Sequence, residues 1–210
     1  GRPTEWVEEE IKKAKTLTDR PFGINLMLMA PNVEEIAELA LREKVAFVTT
    51  GAGSPLPWIE KMHQGGVKVI PVVPNVKLAK RIASSGADAL IIEGMEAGGH
   101  IGTMTTMALL SNVLRENYPI PVLAAGGISD GRAMAAALLM GADGVQMGTR
   151  FLLTTECPVH EKTKEMILNA TDTDCVVTGY SRNMGVRCLA NDFTRRYLER
   201  SEERRVGKEC

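Results

Sequence analysis

The stretch from residue 121 to residue 150 reads PVLAAGGISDGRAMAAALLMGADGVQMGTR, and it decides the fold class. Two apolar runs, 121–125 and 144–147, each lead into a glycine turn. The segment between them is dense in alanine, leucine and methionine, which are strong helix formers. The pattern therefore predicts a strand, a glycine turn, a helix, a second strand and a second glycine turn.

These two glycine turns indicate a phosphate site. In a (β/α)8 barrel, the loops after the last two strands commonly bind phosphate through backbone N–H groups and the N-terminus of a short helix. Gly126, Gly127, Gly148 and Thr149 fit such a site. Glycines also end strands in other α/β proteins, but two such turns separated by one helix favour phosphate binding. The pattern does not specify which ligand carries the phosphate.

A third glycine loop lies upstream, where residues 93–102 read EGMEAGGHIG after the apolar run 89–92. Gly98 and Gly99 have no Cβ, so a flat or charged group can approach the backbone there. His100 is the histidine of this loop, and histidine is the residue type best suited to proton transfer near neutral pH. The loop therefore predicts a ligand held close to the backbone beside an imidazole. The alternative is a tight turn whose histidine only caps a neighbouring group.

The rest of the chain repeats the same unit, since each apolar run is followed by a segment with helical spacing. Continuous apolar strands that alternate with amphipathic helices predict a parallel sheet covered by helices. The predicted strands lie near residues 21–28, 44–51, 67–73, 89–93, 120–125 and 144–149.

Six strands are two fewer than a closed barrel needs, and the first feature of the chain is a helical segment at residues 6–11. We therefore expect an α/β fold, a (β/α)8 TIM barrel that lacks its first two strands. An open doubly wound sheet is the alternative. We expect a partial barrel over 1–151, a helical and loop extension over 152–200, and a charged tail at 201–210 that is disordered or non-native.

Composition excludes several classes of protein. The chain has 210 residues, 44% hydrophobic content and a formal net charge of −1, so it offers no basic footprint for nucleic acid. No apolar run reaches the ~20 residues of a membrane span, and no signal peptide is visible. The four cysteines show no CxxC spacing, so we expect no metal site and a reducing, cytoplasmic compartment.

Five segments of the chain carry a family resemblance: FVTTGAG (47–53), VKVIPVVP (67–74), EGMEAGGHIG (93–102), AAGGI (124–128) and VQMGTRF (145–151). They are similar to the FMN-dependent enoyl-acyl-carrier-protein reductases of bacterial fatty-acid synthesis, which share a superfamily with the nitronate monooxygenases, once called 2-nitropropane dioxygenases. The resemblance covers about residues 21–196.

The resemblance implies an FMN cofactor. Asn25 would hydrogen-bond the flavin, Gly98 and Gly99 would let the backbone approach it, and Glu93 would be a flavin partner or a structural acid. Thr50 and Gly51 could line the same face. The ribityl chain and phosphate would be surrounded by Ala125, Gly126, Gly127, Gln146, Gly148 and Thr149.

His100 would be the catalytic residue, because reduction of an enoyl thioester leaves negative charge on the thioester oxygen that an imidazole can stabilise or protonate. In the nitronate branch the same histidine would orient the nitronate or take a proton from a nitroalkane. The reductase would use NADH or NADPH and an acyl-carrier-protein-linked or CoA-linked enoyl substrate. A homodimer is compatible with this resemblance.

Three functions are therefore open. The first is an FMN-dependent enoyl reductase, and the second is a nitronate monooxygenase that uses oxygen. The third is a non-flavin barrel that binds a nucleotide or sugar phosphate. The loop containing Met95 and the segments 25–29 and 103–107 are more similar to the reductase branch.

Overall fold

The computed structural model of the chain describes residues 2–180 and 184–206, with side chains described as far as residue 200. Its helices and strands alternate over most of this length. The helices are α1 (Thr4–Leu17), α2 (Val33–Arg42), α3 (Leu56–Gln64), α4 (Val76–Ala83), α5 (Thr106–Leu114), α6 (Gly131–Leu139), α7 (Thr149–Leu152), α8 (Glu161–Leu168) and α9 (Asp192–Val206). The strands are β1 (Gly23–Met27), β2 (Phe47–Gly51), β3 (Lys68–Val73), β4 (Leu90–Glu93), β5 (Gly99–His100), β6 (Val122–Ala125), β7 (Gly144–Gln146), β8 (Cys175–Thr178) and β9 (Val186–Leu189).

The six strands expected from the apolar runs are confirmed as β1, β2, β3, β4, β6 and β7. They form a sheet in the order β1-β2-β3-β4-β6-β7, and the pairings from β1 to β4 are parallel. In β1 and β2, Leu26 lies opposite Thr50. One predicted boundary was wrong, because β7 ends at Gln146 and Thr149 already begins α7. Strand order that follows chain order is typical of repeated βα units.

The chain divides into two compact units, of which the first comprises Gly1–Ile92 and Asn112–Leu123. Its core is built from large apolar side chains at helical and strand spacing. In α2, for example, Leu39 and Ala40 are fully buried while the acidic side chains of the first turn are exposed. The N-terminus of α4 is capped by Asn75, whose Oδ1 accepts a hydrogen bond of 2.8 Å from Leu78 N.

The second unit comprises Glu93–Ser111 and Ala124–Cys210. It contains a three-stranded antiparallel sheet in the order β5-β9-β8, which the sequence analysis does not predict. In it, Gly99 lies opposite Arg187 and His100 lies opposite Val186. Strand β5 has only two residues and one is glycine, so no alternating pattern could reveal it.

The C-terminal region contains two strands in addition to the helices and loops expected from the sequence. Between residues 152 and 200 lie β8 and β9 as well as helical residues. Helix α9 continues through residues 201–206, and residues 207–210 of the expected tail lie outside the described residues. The three-part division of the chain stays a prediction. Within the described part of the chain, no helix is both long enough and apolar enough to span a membrane.

Candidate functional site

A cavity of about 430 Å³ in the second unit is lined mainly by glycine loops. This volume is within the range of small-molecule sites, which is roughly 300–1,000 Å³. Nine of the ten residues that the family resemblance assigns to the cofactor line it: Glu93, Gly98, Gly99, Ala125, Gly126, Gly127, Gln146, Gly148 and Thr149. The structure therefore brings together residues from loops that are widely separated along the chain.

Asn25, the tenth residue, is not among those that line this cavity. It is an exposed residue of β1 in the first unit, and its Oδ1 accepts a hydrogen bond of 3.0 Å from Thr49 Oγ1. Thr50 and Gly51, at the end of β2, also belong to the first unit. The Thr50 side chain is buried, and its hydroxyl has no hydrogen-bond partner in the described part of the chain. The flavin contacts of Asn25 stay a prediction.

The turn after β6 strongly favours glycine. Gly126 and Gly127 have φ angles of +98° and +71°, which other residues rarely adopt. A Cβ on Gly126 would lie 2.8 Å from Thr106 Oγ1 and 2.9 Å from the Gly94 carbonyl oxygen. On Gly127 it would lie 3.1 Å from the Cβ of Glu96. The turn therefore offers the cavity bare backbone, which can approach a ligand phosphate closely.

The turn after β7 also offers backbone to the cavity, because it leads into the first residues of a helix. Gly148 is the N-cap of the short helix α7, and its carbonyl oxygen accepts hydrogen bonds from Phe151 N and Leu152 N, at 2.9 and 3.3 Å. The N–H groups of Thr149 and Arg150, the first two residues of this helix, precede those bonds and are the ones oriented for an anion. A Cβ on Gly98 would lie 3.9 Å from Thr149 Oγ1, which shows how closely the loops approach. These residues fit a phosphate-bearing cofactor.

Thr106 connects the loop before β5 to the turn after β6. Its N–H and hydroxyl donate hydrogen bonds of 2.8 and 2.9 Å to the Glu96 carboxylate, and its hydroxyl also lies 2.9 Å from the Gly126 carbonyl oxygen. Gly94 N donates a further hydrogen bond of 3.0 Å to Ala125 O. The sequence analysis assigned no role to Thr106 or Glu96. The sequence signal for Thr106 was a threonine at the start of an apolar helical segment, a position where its side chain can hydrogen-bond nearby groups.

His100 is an exposed residue of β5, beside the cavity-lining Gly99 but not itself among the lining residues. The loop is fastened by β9, since His100 pairs with Val186 and Ile101 N donates a hydrogen bond of 2.9 Å to Gly185 O. No side chain among the described residues is hydrogen-bonded to the His100 ring, so the ring caps no neighbouring group there. Its catalytic role stays a prediction.

Glu93, at the end of β4, is an acid of the cavity whose pKa is raised by burial. It is half-buried, and burial raises the pKa of its carboxyl from 4.5 to about 7. The other charged residues that line the cavity are Glu96 and Arg150. Arg150 follows the second glycine turn directly, and its proximity to that motif was the signal that the sequence analysis did not use. Within the described ranges, no three His, Cys, Asp or Glu side chains are grouped to hold a metal ion.

Comparison with known proteins identifies the family. A family model described as nitronate monooxygenase matches residues 35–207. The structure of FabK from Thermotoga maritima has a TM-score of 0.91 and 43% identity, covering 100% of this chain and 67% of that one. This similarity confirms the predicted α/β fold of the (β/α) barrel type.

Curated relatives agree. A "(3aS,4S,5R,7aS)-5-hydroxy-7a-methyl-1-oxo-octahydro-1H-indene-4-carboxyl-CoA dehydrogenase" of Rhodococcus jostii (strain RHA1) is 43% identical, covering 89% of this chain and 53% of the relative. A probable nitronate monooxygenase of Staphylococcus saprophyticus is 30% identical, covering 94% of this chain and 68% of the relative. The chain thus spans about half the length of the Rhodococcus protein. The resemblance inferred from the glycine motifs is confirmed, and the chain belongs to the nitronate monooxygenase family of oxidoreductases.

Proposed function

We propose that the protein is an FMN-dependent reductase of enoyl thioesters, with NADH or NADPH as the hydride donor. The observation that carries this proposal is the cavity, where nine residues assigned to a flavin site line one space. The substrate class is supported by the similarity to FabK, an enoyl-acyl-carrier-protein reductase, and to a dehydrogenase of a CoA thioester.

The glycine turns would hold the cofactor. Backbone N–H groups at Gly126-Gly127 and Gly148-Thr149 would bind its phosphate, and Gly98 and Gly99 would let the flavin ring lie against the backbone. When bound, FMN would supply the redox chemistry, taking hydride from the nicotinamide and delivering it to the substrate. Gln146 and Ala125 would contact the ribityl chain. Asn25 would add a hydrogen bond to the flavin.

His100 would act on the substrate. Hydride addition to the β-carbon of an enoyl thioester moves negative charge onto the thioester oxygen, and an imidazole beside the flavin can stabilise or protonate it. The exposed position of His100 next to Gly99 gives the ring access to a ligand in the cavity mouth. Glu93, whose carboxyl keeps its proton up to about pH 7, would donate a hydrogen bond to the flavin below that pH.

Nitronate oxidation is the second candidate, and the family model that matches the chain favours it. In that reaction His100 would orient a nitronate or take a proton from a nitroalkane, and molecular oxygen would be the electron acceptor. A cytoplasmic location, a homodimer and the absence of a nucleic-acid or membrane partner belong to the proposal as expectations. A non-flavin phosphate barrel is the third candidate, and colour separates it, because a protein that carries FMN is yellow.

The test uses full-length protein purified with excess FMN. Under anaerobic conditions, NADH or NADPH should bleach the bound flavin, and crotonyl-CoA or a crotonyl acyl-carrier protein should restore its absorbance. The control is oxidation of a nitroalkane or its nitronate in air. Flavin that is reoxidised by the thioester supports the reductase. Flavin that is not reduced by nicotinamide, together with consumption of nitronate in air, would establish the second candidate. A colourless protein would establish the third.

A further inference from the structure

Arg187, in the middle of β9, is a cation that the family motifs leave without a role. It lies directly opposite Gly99 in the antiparallel pairing of β9 with β5. Its other neighbour in the sheet is Val177 of β8, which offers no charge. In the part of the chain whose side chains are described, no carboxylate forms an ion pair with the Arg187 guanidinium. The side chain is also only half-exposed.

The pairing decides which face of the sheet Arg187 occupies. Directly opposed residues of antiparallel strands project from the same face, and adjacent residues project from opposite faces. Arg187 therefore lies directly across from Gly99, whose φ of +83° departs from regular strand geometry, so the alternation of faces does not extend from Gly99 to His100. Gly99 has no side chain, and a Cβ built on it would meet nothing within 4 Å. Arg187 is not itself among the residues that line the cavity, but its long side chain has open space beside Gly99, which is.

The cavity already contains another cation, next to the glycine turn after β7. Arg150 lines the cavity directly after Gly148 and Thr149. The other charged residues that line it, Glu93 and Glu96, would repel an anionic ligand when ionised. A second ligand that carries phosphate, entering past the Gly99 loop, therefore needs a compensating positive charge on that side. Arg187 is placed to provide it, since guanidinium binds phosphate through two parallel hydrogen bonds.

We infer that Arg187 binds a phosphate group of the substrate that approaches the cavity, and so selects phosphate-bearing substrates over small free ones. This inference rests on the proposed function and adds to it a residue that recognises the substrate. Two substrates of the proposed reaction carry phosphate, the nicotinamide dinucleotide and the CoA or acyl-carrier-protein thioester. The experiment distinguishes these two sources.

The test measures direct binding to the full chain by calorimetry, with CoA, NAD⁺ and NADP⁺ as separate probes. The variant is Arg187→Gln, with Arg187→Lys as the conservative partner. Arg81→Gln is the matched control, because Arg81 is an exposed helical arginine that does not line the cavity. Hydrogen bonds to charged groups are worth enough that the loss of one weakens binding about 10- to 100-fold.

We expect Arg187→Gln to raise the Kd of one probe class by about that factor, with a matching rise in KM and a kcat within about twofold. Arg187→Lys should recover part of the affinity, and Arg81→Gln should bind like the parent protein. A rise confined to CoA assigns the phosphate to the thioester, and a rise confined to the dinucleotides assigns it to the hydride donor. The Kd of FMN should not change, because the glycine turns hold the cofactor in the proposed function.

Unchanged Kd values for all probes in Arg187→Gln would overturn the inference, and so would a parent protein that binds none of them. An equal loss of FMN affinity would also overturn it, because that pattern is expected from a structural defect. These outcomes are independent of the proposed function, which fails if the parent flavin responds to neither nicotinamide nor thioester. Binding of CoA can still be measured in that case.

Discussion

The two compact units of this chain use their residues in opposite ways. In the first unit, large side chains such as Leu39 and Met62 are fully buried, and the backbone is mostly in regular strands and helices. In the second unit, seven of the fifteen residues that line the cavity are glycine or alanine, and the glycine turn after β6 has positive φ angles. Packing of side chains stabilises a fold, while bare backbone binds ligands. Substitutions should therefore separate stability from binding.

The largest effect should follow from replacing His100, the residue that acts on substrate in the proposed reaction. Loss of a positioned acid typically slows a reaction by about 10²- to 10⁴-fold. In His100→Ala, reoxidation of reduced flavin by the thioester should slow by that factor, while flavin binding and reduction by nicotinamide change less. Stopped-flow absorbance of the two half-reactions measures both rates.

The control for His100 is His160→Ala, because His160 is also exposed and belongs to the same unit. Its Nδ1 accepts a hydrogen bond of 3.1 Å from Lys162 N at the start of α8, so only a small loss of stability is expected. Equal slowing of both half-reactions in His100→Ala would place His100 at the nicotinamide or in a supporting role.

The next effect concerns the core of the first unit. Leu39→Ala should lower the free energy of unfolding by about 2–5 kcal/mol, because it leaves a cavity beneath α2. Denaturant titration followed by circular dichroism measures the change. The neighbouring variant Glu38→Ala removes an exposed side chain from the same helix and should differ little from the parent. A Leu39→Ala protein as stable as Glu38→Ala would show that this core does not carry the stability.

A matched pair of glycines separates strain from binding. Gly127 and Gly66 have similar φ angles of +71° and +76°, so backbone strain from a valine at either position should cost about 1–2 kcal/mol of stability. Gly127 lines the cavity and Gly66 does not, and a Cβ on Gly127 would also lie 3.1 Å from the Cβ of Glu96. Gly127→Val should therefore weaken FMN binding about tenfold or more, whereas Gly66→Val should bind FMN like the parent. Fluorescence titration with FMN measures the Kd, and equal affinities would contradict the placement of the phosphate.

The smallest effect is a pH dependence caused by Glu93. Burial raises the pKa of this carboxyl from 4.5 to about 7, so between these values the folded protein keeps a proton that the unfolded chain has lost. Stability should therefore fall as the pH rises from about 4.5 to about 7, and the contribution should be constant above that range. Glu93→Gln should remove this part of the profile, which urea denaturation at a series of pH values measures.

The control for Glu93 is Glu38→Gln, which makes the same chemical change at an exposed position of α2. Its profile should follow that of the parent protein. A Glu93→Gln profile that still falls between pH 4.5 and 7 would show that another group is responsible. An increase of stability over this range would contradict the sign of the linkage.

Much of the fold could be predicted because its signals are local. Apolar runs and helical spacing predicted six strands and their helices, and the family resemblance assigned nine residues that line one cavity. The antiparallel sheet of β5, β9 and β8 could not be predicted, because β5 contains only Gly99 and His100. A strand of two residues has no period, and its pairing depends on residues far along the chain.

The sequence by itself determined the alternation of strands and helices, the glycine turns and the position of His100 after Gly99, because each depends on neighbouring residues and their backbone preferences. The tertiary structure alone decided that Thr106 connects two loops, that burial raises the pKa of Glu93, and that Arg187 lies opposite Gly99. Hydrogen bonds between loops, desolvation of a carboxyl and cross-strand pairing all depend on distances in space, which residue order along the chain does not contain.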